Sequence, residues 1–216
     1  MKKYKAVLFD LDGTLLDTLD DLGAAVNSAL SKRGLPLHDR ASYQMKVGHG
    51  IRDLVTKSLP EEMRGDTVFI DECLADFKAY YTTHIDVHTL PYPGMPELLL
   101  KLHQKGVALA VASNKFQEGT EHLVHEFFPD IPFAAILGNR PGAPLKPDPR
   151  IVQEVLRTTR VAPEEAVLVG DSGTDMQTAL NGGINRIAVD WGYRPLKDSP
   201  GIRVVETVGE LESILL

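Results

Sequence analysis

The sequence predicts an α/β fold, a doubly wound parallel sheet with an inserted helical domain. Short, continuously apolar runs alternate with helical patterns over most of the chain, which is typical of βαβ units. Such short runs suit strands that are buried on both faces, as the strands of a parallel sheet are. Residues 18 to 89 show helical patterns and no strand-like run. We therefore predict a Rossmann-like core over 1–17 and 90–216 and a helical domain over 18–89.

Five apolar runs are the predicted strands of the core, and four helical patterns follow them. The strands are predicted at 5–10, 107–112, 133–137, 166–169 and 186–189. The helices are predicted at 96–105, 117–127, 150–159 and 175–181. Pro96 suits a first helical turn, and Gly106 stands where a glycine commonly ends a helix.

The inserted domain has its own helix signals. Thr18 with Asp21 three residues later fits a capping box, and apolar residues then recur at helical spacing until Gly34. Cys73 stands at helical spacing between two phenylalanines, which favours a buried structural thiol. The chain is predicted to leave the core near 16–19. It is predicted to return through the proline- and glycine-rich segment 89–94.

Composition excludes several classes of protein. The 216 residues include 23 Lys and Arg against 30 Asp and Glu, a net charge of −7, whereas general nucleic-acid binding needs a basic surface. The longest apolar run, 107–112, is far shorter than the ~20 residues of a membrane helix. A single cysteine fits a reducing compartment. We expect a cytoplasmic protein without nucleic-acid or membrane partners, and the sequence leaves its oligomeric state open.

Polar side chains follow the predicted strands, where an open parallel sheet binds its ligands. They are Asp10, Asp12, Ser113, Asn114, Asp171 and Asp175, and Lys146 precedes the helix predicted at 150–159 and is expected at the same edge. Four carboxylates at one edge repel one another strongly when desolvated, and either protons or a divalent cation would relieve the repulsion. Oxygen ligands favour a hard ion such as Mg²⁺, which commonly binds carboxylates together with a substrate phosphate. The cluster therefore predicts a magnesium site for a phosphate monoester, with a carboxylate as a possible nucleophile.

The ordered motifs resemble those of the haloacid dehalogenase-like hydrolases, in particular the phosphoglycolate phosphatase branch with a small helical cap. The motifs are Asp10-Leu11-Asp12-Gly13-Thr14, Ser113-Asn114, Lys146-Pro147 and Gly170-Asp171-Ser172-Gly173-Thr174-Asp175. The segment Trp191-Gly192-Tyr193-Arg194 is also similar to one common in that branch. The resemblance covers essentially the whole chain and implies that residues 18–89 form the cap.

The resemblance also implies roles for the motif residues. Asp10 would attack phosphorus, and Asp12 would protonate the leaving oxygen and later activate water. The phosphoryl group would be held by Ser113, Asn114 and Lys146. The Mg²⁺ site would comprise Asp10, the backbone carbonyl of Asp12, Asp171 and Asp175. A small phosphorylated metabolite would then be the partner of the protein.

One stretch of the inserted domain is a candidate for substrate specificity. Gly48 and Gly50 permit positive φ and a close approach to a ligand on either side of His49, and Arg52 could bind a second anionic group. We expect a magnesium-dependent phosphatase that acts on a phosphoglycolate-like substrate through an aspartyl phosphate. The alternatives are a sugar phosphomutase or a pyrophosphatase on the same scaffold, or a regulator that binds phosphorylated ligands without turnover.

Overall fold

The structure, a computed structural model, describes residues 4–194, 196 and 201–216. The chain divides into two compact units. One unit comprises Met1–Asp17 and Pro91–Leu216, and the other comprises Thr18–Leu90. In the part of the chain that the structure describes, every helix is too short or too polar to cross a membrane.

The first unit is built on a six-stranded parallel sheet, which confirms the predicted fold class. The described residues form the strands β1 (Ala6–Phe9), β2 (Leu16–Asp17), β3 (Leu90–Pro91), β4 (Ala108–Phe116), β5 (Ala135–Asn139), β6 (Ala166–Gly170), β7 (Asn185–Val189) and β8 (Arg203–Val205). The order in the large sheet is β5-β4-β1-β6-β7-β8, and β2 pairs with β3. Because β1 lies between β4 and β6, the carboxyl ends of these three strands are neighbours.

Helices cover both faces of the large sheet. In the described part of the first unit, the α-helices are α5 (Met95–Gln104), α6 (Gln117–Phe127), α7 (Arg150–Thr159), α8 (Gly173–Gly182) and α9 (Val208–Leu215). Ala6 and Leu8 of β1 join one core cluster, which includes Val152 of α7 and Ala179 of α8. Since side chains alternate along a strand, Val7 and Phe9 point to the opposite face, where they are equally buried.

The observed bounds differ from the predicted ones where polar residues continue an element. The strand predicted over 107–112 extends to Phe116, so β4 includes Ser113, Asn114 and Lys115. Helix α8 begins at Gly173 rather than 175, because Ser172 caps it. Strand β8 and helix α9 were not predicted. The predicted glycine at the end of α5 is confirmed, since Gly106 has a φ of 67°.

The second unit is helical. It contains α1 (Leu19–Ser31), α2 (Arg40–Gln44), α3 (Ile51–Ser58) and α4 (Thr67–Tyr81). Cys73 of α4 is buried and has a free thiol, as predicted. The predicted capping box at Thr18 is wrong, because the Thr18 side chain makes no capping hydrogen bond. The Asp21 carboxylate instead accepts hydrogen bonds from the backbone and side chains of His88 and Thr89.

Candidate active site

Three acidic side chains meet at the carboxyl ends of the central strands. Asp10 directly follows β1, Asp171 directly follows β6, and Asp175 lies in the first turn of α8. One carboxylate oxygen from each of the three lies within 4.8 Å of those from the other two. All three residues are buried. This spacing allows one cation to contact all three carboxylates.

Lys146 places an ammonium group between two of these acids. Its Nζ lies 2.8 Å from Asp10 Oδ1 and 2.6 Å from Asp175 Oδ1, and it donates to the Ala112 carbonyl at 2.7 Å. The Asn114 amide fixes the backbone that carries this lysine: Asn114 Oδ1 accepts from Lys146 N at 2.8 Å, and Nδ2 donates to the Lys146 carbonyl at 3.2 Å. The Asn114 side chain thus joins β4 to the backbone of Lys146, and its predicted role in phosphate binding stays a prediction.

Asp175 joins the start of α8 to the lysine. Its Oδ2 accepts hydrogen bonds from the backbone and hydroxyl of Ser172, and Ser172 Oγ in turn accepts from Asp175 N, which forms a capping box. Gly170 leaves room for this arrangement, because a Cβ there would lie 2.4 Å from the Asp175 Cγ. The one carboxylate thus caps a helix and pairs with Lys146.

Asp171 is held by backbone from two other loops. Tyr193 N donates to Asp171 Oδ2 at 2.8 Å. A Cβ on Gly192 would lie 2.2 Å from the Asp171 Cβ, and a Cβ on Gly13 would lie 2.4 Å from Asp171 Oδ2. Trp191 Nε1 also donates to the Thr14 carbonyl at 3.2 Å. The two loops therefore pack against Asp171 as closely as glycine allows.

The electrostatics of the cluster favour either protons or a cation. Burial, followed by the charge of Asp175, raises the pKa of Asp10 to about 7, although Lys146 opposes the rise. Burial and the charges of Asp175 and Asp10 also raise the pKa of Asp171 well above its usual range. For Lys146, burial disfavours the charged form, but the attraction of the two aspartates outweighs it and raises the lysine pKa.

A second buried lysine pairs with the remaining motif acid. Lys115 Nζ lies 2.9 Å from Asp12 Oδ1, and the Lys115 side chain is only 1% exposed. Ser113 is buried beside them, and its Oγ accepts a hydrogen bond from Lys115 N at 3.2 Å. Among the described residues, the motif acids and the two lysines supply four carboxylates and two ammonium groups, a sum of two negative charges when all six are ionised. One divalent cation would balance them.

The glycine-flanked stretch of the second unit precedes α3. Gly48 and Gly50 have φ values of 123° and 85°, in the region that favours glycine, and Gly50 caps the helix. His49 Nδ1 lies 3.9 Å from Asp53 Oδ2. The Arg52 guanidinium forms an exposed ion pair with Asp71 of α4. The role of this stretch in substrate binding stays a prediction.

The sequence profile of the haloacid dehalogenase-like hydrolase family matches residues 7–189, most of the chain. The chain belongs to this family. Its relatives include phosphoglycolate phosphatases. The Mesorhizobium japonicum protein of that name is 37% identical over 87% of this chain and 83% of its own length. Phosphoglycolate phosphatase 1 of Pseudomonas aeruginosa is 32% identical over 96% of this chain and 78% of its own length.

A solved structure also supports the family assignment. A protein of Lactobacillus delbrueckii subsp. bulgaricus, assigned as a phosphoglycolate phosphatase, superimposes with a TM-score of 0.91 at 34% identity. The match covers 100% of this chain and 99% of that protein. This haloacid dehalogenase-like hydrolase is accordingly a phosphatase, an enzyme that hydrolyses phosphoric monoesters.

Sequence reasoning about this hydrolase missed two features of the site. It assigned no role to Lys115, although a lysine three residues after a continuously apolar run can be buried in the same strand, where its charge needs a partner. It also missed the hydrogen bond from Tyr193 N to Asp171. That contact uses a backbone group, so no residue type in the sequence could have indicated it.

Proposed function

We propose that the chain is a magnesium-dependent phosphatase that hydrolyses a small, phosphoglycolate-like phosphomonoester through a phosphorylated Asp10. The observation that carries the proposal is the Lys146 ammonium group, 2.8 Å from Asp10 and 2.6 Å from Asp175, within the buried acidic cluster. The names of the relatives support this substrate class. The single buried cysteine agrees with a cytoplasmic enzyme.

The donor set fits magnesium. Oxygen ligands without nitrogen or sulfur suit a hard cation, and Asp10, Asp171 and Asp175 offer one oxygen each within 4.8 Å. Burial, followed by the charge of Asp175, raises the pKa of both Asp10 and Asp171, so each acid favours a proton unless a cation stabilises its charged form. We propose that these three acids and the Asp12 carbonyl hold the ion. When bound, Mg²⁺ would neutralise charge on the phosphoryl oxygens.

Asp10 is the proposed nucleophile because of how its carboxylate is held. Among the described residues, Leu11 N and Lys146 Nζ both contact Oδ1, at 2.8 Å each. These contacts leave Oδ2 as the oxygen to attack phosphorus. Lys146 and Ser113 would bind the phosphoryl oxygens as they gain negative charge during transfer. Asn114 would keep Lys146 in place through its two backbone hydrogen bonds.

Asp12 is the proposed general acid and base. In the first step, Asp10 forms a bond to phosphorus and the ester P–O bond breaks. The leaving oxygen keeps the electron pair of that bond and receives a proton from Asp12. In the second step, water attacks phosphorus and gives its proton back to Asp12, and Asp10 leaves as the free carboxylate. General acid–base catalysis of this kind contributes about 10²- to 10⁴-fold.

Residues 18–89 are the proposed cap, with Gly48, His49, Gly50 and Arg52 as its specificity residues. Positive φ at both glycines supports a close backbone approach to a ligand. The Arg52 guanidinium is exposed, and binding a substrate carboxylate would require it to exchange Asp71 for the ligand. Arg52→Ala should therefore raise KM for 2-phosphoglycolate more than for a neutral aryl phosphate. Equal increases in KM would remove Arg52 from the specificity site.

A phosphate-release assay with 2-phosphoglycolate tests the proposal. We expect turnover that requires Mg²⁺ and falls about 10³-fold or more in Asp10→Asn. Asp20→Asn is the matched control, since Asp20 lies on the surface in an ion pair with Arg40. Binding without turnover above the Asp10→Asn level would indicate a regulator. Isomerised sugar from a labelled hexose phosphate would indicate a mutase, and turnover of pyrophosphate alone would indicate a pyrophosphatase.

A further inference from the structure

Lys115 is buried in β4 with its charge directed at Asp12. The Lys115 side chain is 1% exposed, and its Nζ lies 2.9 Å from Asp12 Oδ1. Asp12 is more accessible, with 15% of its side chain exposed. The residues before Lys115 in β4 are buried from Leu109 onward, and those from Leu109 to Ala112 are apolar.

Burying the Lys115 ammonium group in β4 is energetically unfavourable unless the group has a specific partner. Burying an unpaired charge is strongly unfavourable, and even a paired buried charge often stabilises no better than an apolar side chain of similar size. Lys146 already supplies the cation that contacts Asp10 and Asp175. Lys115 contacts Asp12 instead, so the two lysines pair with different acids of the site.

The chemistry of the pair suggests what Lys115 does. A lysine ammonium group has three donors and no acceptor, so the Asp12 oxygen that faces it must act as an acceptor. When Asp12 carries a proton, that arrangement favours Oδ1 as the carbonyl oxygen and Oδ2 as the hydroxyl. The ion pair also limits rotation of the carboxyl group, because rotation would break a charge-assisted hydrogen bond in a buried place.

We propose that Lys115 is a positioning residue that fixes the Asp12 carboxyl group, so that Oδ2 passes the proton to the leaving oxygen and later receives one from water. This inference rests on the proposed function. Lys115 itself forms and breaks no covalent bond. Losing it should slow proton transfer and leave the attack by Asp10 almost unchanged.

Substrates with different leaving groups distinguish an effect on proton transfer by Asp12 from an effect on the attack by Asp10. An alkoxide is a poor leaving group and needs a proton, whereas p-nitrophenolate leaves without one. In Lys115→Met we expect formation of the phosphorylated enzyme from 2-phosphoglycolate to fall about 100-fold, the lower end of general acid catalysis. Formation from p-nitrophenyl phosphate should change less than about threefold. Because water attack also needs Asp12, a burst of p-nitrophenol should precede a slow steady state.

Two further variants make the result specific. Lys115→Arg keeps a cationic donor and should recover much of the activity on 2-phosphoglycolate. Lys101→Met is the matched control, because it removes a lysine of the same unit whose exposed Nζ pairs with Glu212 at 2.8 Å. This variant should form the phosphorylated enzyme from both substrates at the wild-type rates. KM for 2-phosphoglycolate should stay within about threefold in every folded variant, since the proposed effect falls on kcat.

Other outcomes overturn the inference. Equal losses on both substrates would mean that Lys115 only maintains the structure, and unchanged rates would mean that it has no role. If Lys115→Met does not fold, Lys115→Arg still decides: a rate on 2-phosphoglycolate as low as that of the Asp12→Asn variant would contradict positioning by a cation. Failure of the proposed function is a different result, because wild-type protein would then form no phosphorylated enzyme from either substrate.

Discussion

Lys146→Met removes the ammonium group from the acidic cluster and keeps most of the apolar stem. The variant loses contacts of 2.8 Å to Asp10, 2.6 Å to Asp175 and 2.7 Å to the Ala112 carbonyl. Removing one partner of a buried ion pair costs about 3–5 kcal/mol. Because the pKa of Asp10 is raised to about 7, protonation of Asp10 near neutral pH costs little free energy and removes its buried charge. We therefore expect a loss near the lower limit, about 3 kcal/mol.

The loss should depend on pH in a definite direction. Lys146 lowers the pKa of Asp10, so its removal raises that pKa further above the value in the unfolded chain. A carboxyl group whose pKa is higher in the folded than in the unfolded chain makes the folded state less stable as the pH rises through the folded-state pKa. The loss in Lys146→Met should therefore be larger at about pH 8.5 than at about pH 5.5.

Urea unfolding of wild type and variant, both without metal ions, measures the effect on the free energy of unfolding. Lys101→Met is the control, and the loss of its exposed ion pair should cost less than about 1 kcal/mol. A Lys146→Met variant as stable as wild type would refute the reasoning. An equal loss at both pH values would show that Asp10 does not respond to the lysine.

Two other substitutions test the second unit and the metal site. Asp21→Asn should lower the free energy of unfolding by about 2–3 kcal/mol, because the buried carboxylate accepts hydrogen bonds from His88 and Thr89. Burial alone would raise the pKa of Asp21, but these hydrogen bonds hold the pKa below its usual value. The carboxylate therefore stabilises the fold at pH values above the usual aspartate pKa, and this stabilisation is lost as the pH falls and the group is protonated. Gly192→Ala should weaken Mg²⁺ binding at least about tenfold by calorimetry, because the new Cβ would lie 2.2 Å from the Asp171 Cβ.

Matched controls are available for both substitutions. Asp20→Asn changes a neighbouring exposed carboxylate, and its stability should stay within about 0.5 kcal/mol of wild type. Gly209→Ala places a Cβ 3.9 Å from Thr207 Oγ1, an ordinary van der Waals distance, and should leave Mg²⁺ affinity unchanged. Asp21→Asn unfolding at wild-type stability, or Gly192→Ala binding Mg²⁺ normally, would contradict the respective argument.

The fold could be predicted largely because buried parallel strands leave an unmistakable pattern. Continuous apolar runs predicted five of the six strands of the large sheet, and the acids at the ends of these strands predicted which residues the sheet brings together. Strand β8 lacks such a run: it has three residues, and only Val205 is buried. A short strand at the edge of a sheet carries too little pattern to be recognised.

The two capping patterns show where local reasoning fails. Thr18 with Asp21 and Ser172 with Asp175 have the same spacing, yet only the second pair forms a capping box. The Asp21 carboxylate is taken instead by donors at position 88 and beyond, far along the chain. A sequence pattern cannot show such long-range competition. For the same reason Asp175 could be placed at the site, but its simultaneous pairing with Lys146 could not be foreseen.

Phosphorus labelling of the enzyme tests the central claim most directly. The wild-type protein, mixed with Mg²⁺ and 2-phosphoglycolate labelled at phosphorus and then quenched rapidly, should carry a covalent label that hydroxylamine removes. Asp10→Asn should carry none, and Asp20→Asn should match wild type. Substrate turnover without any protein-bound label, or equal labelling of Asp10→Asn, would contradict a nucleophilic Asp10.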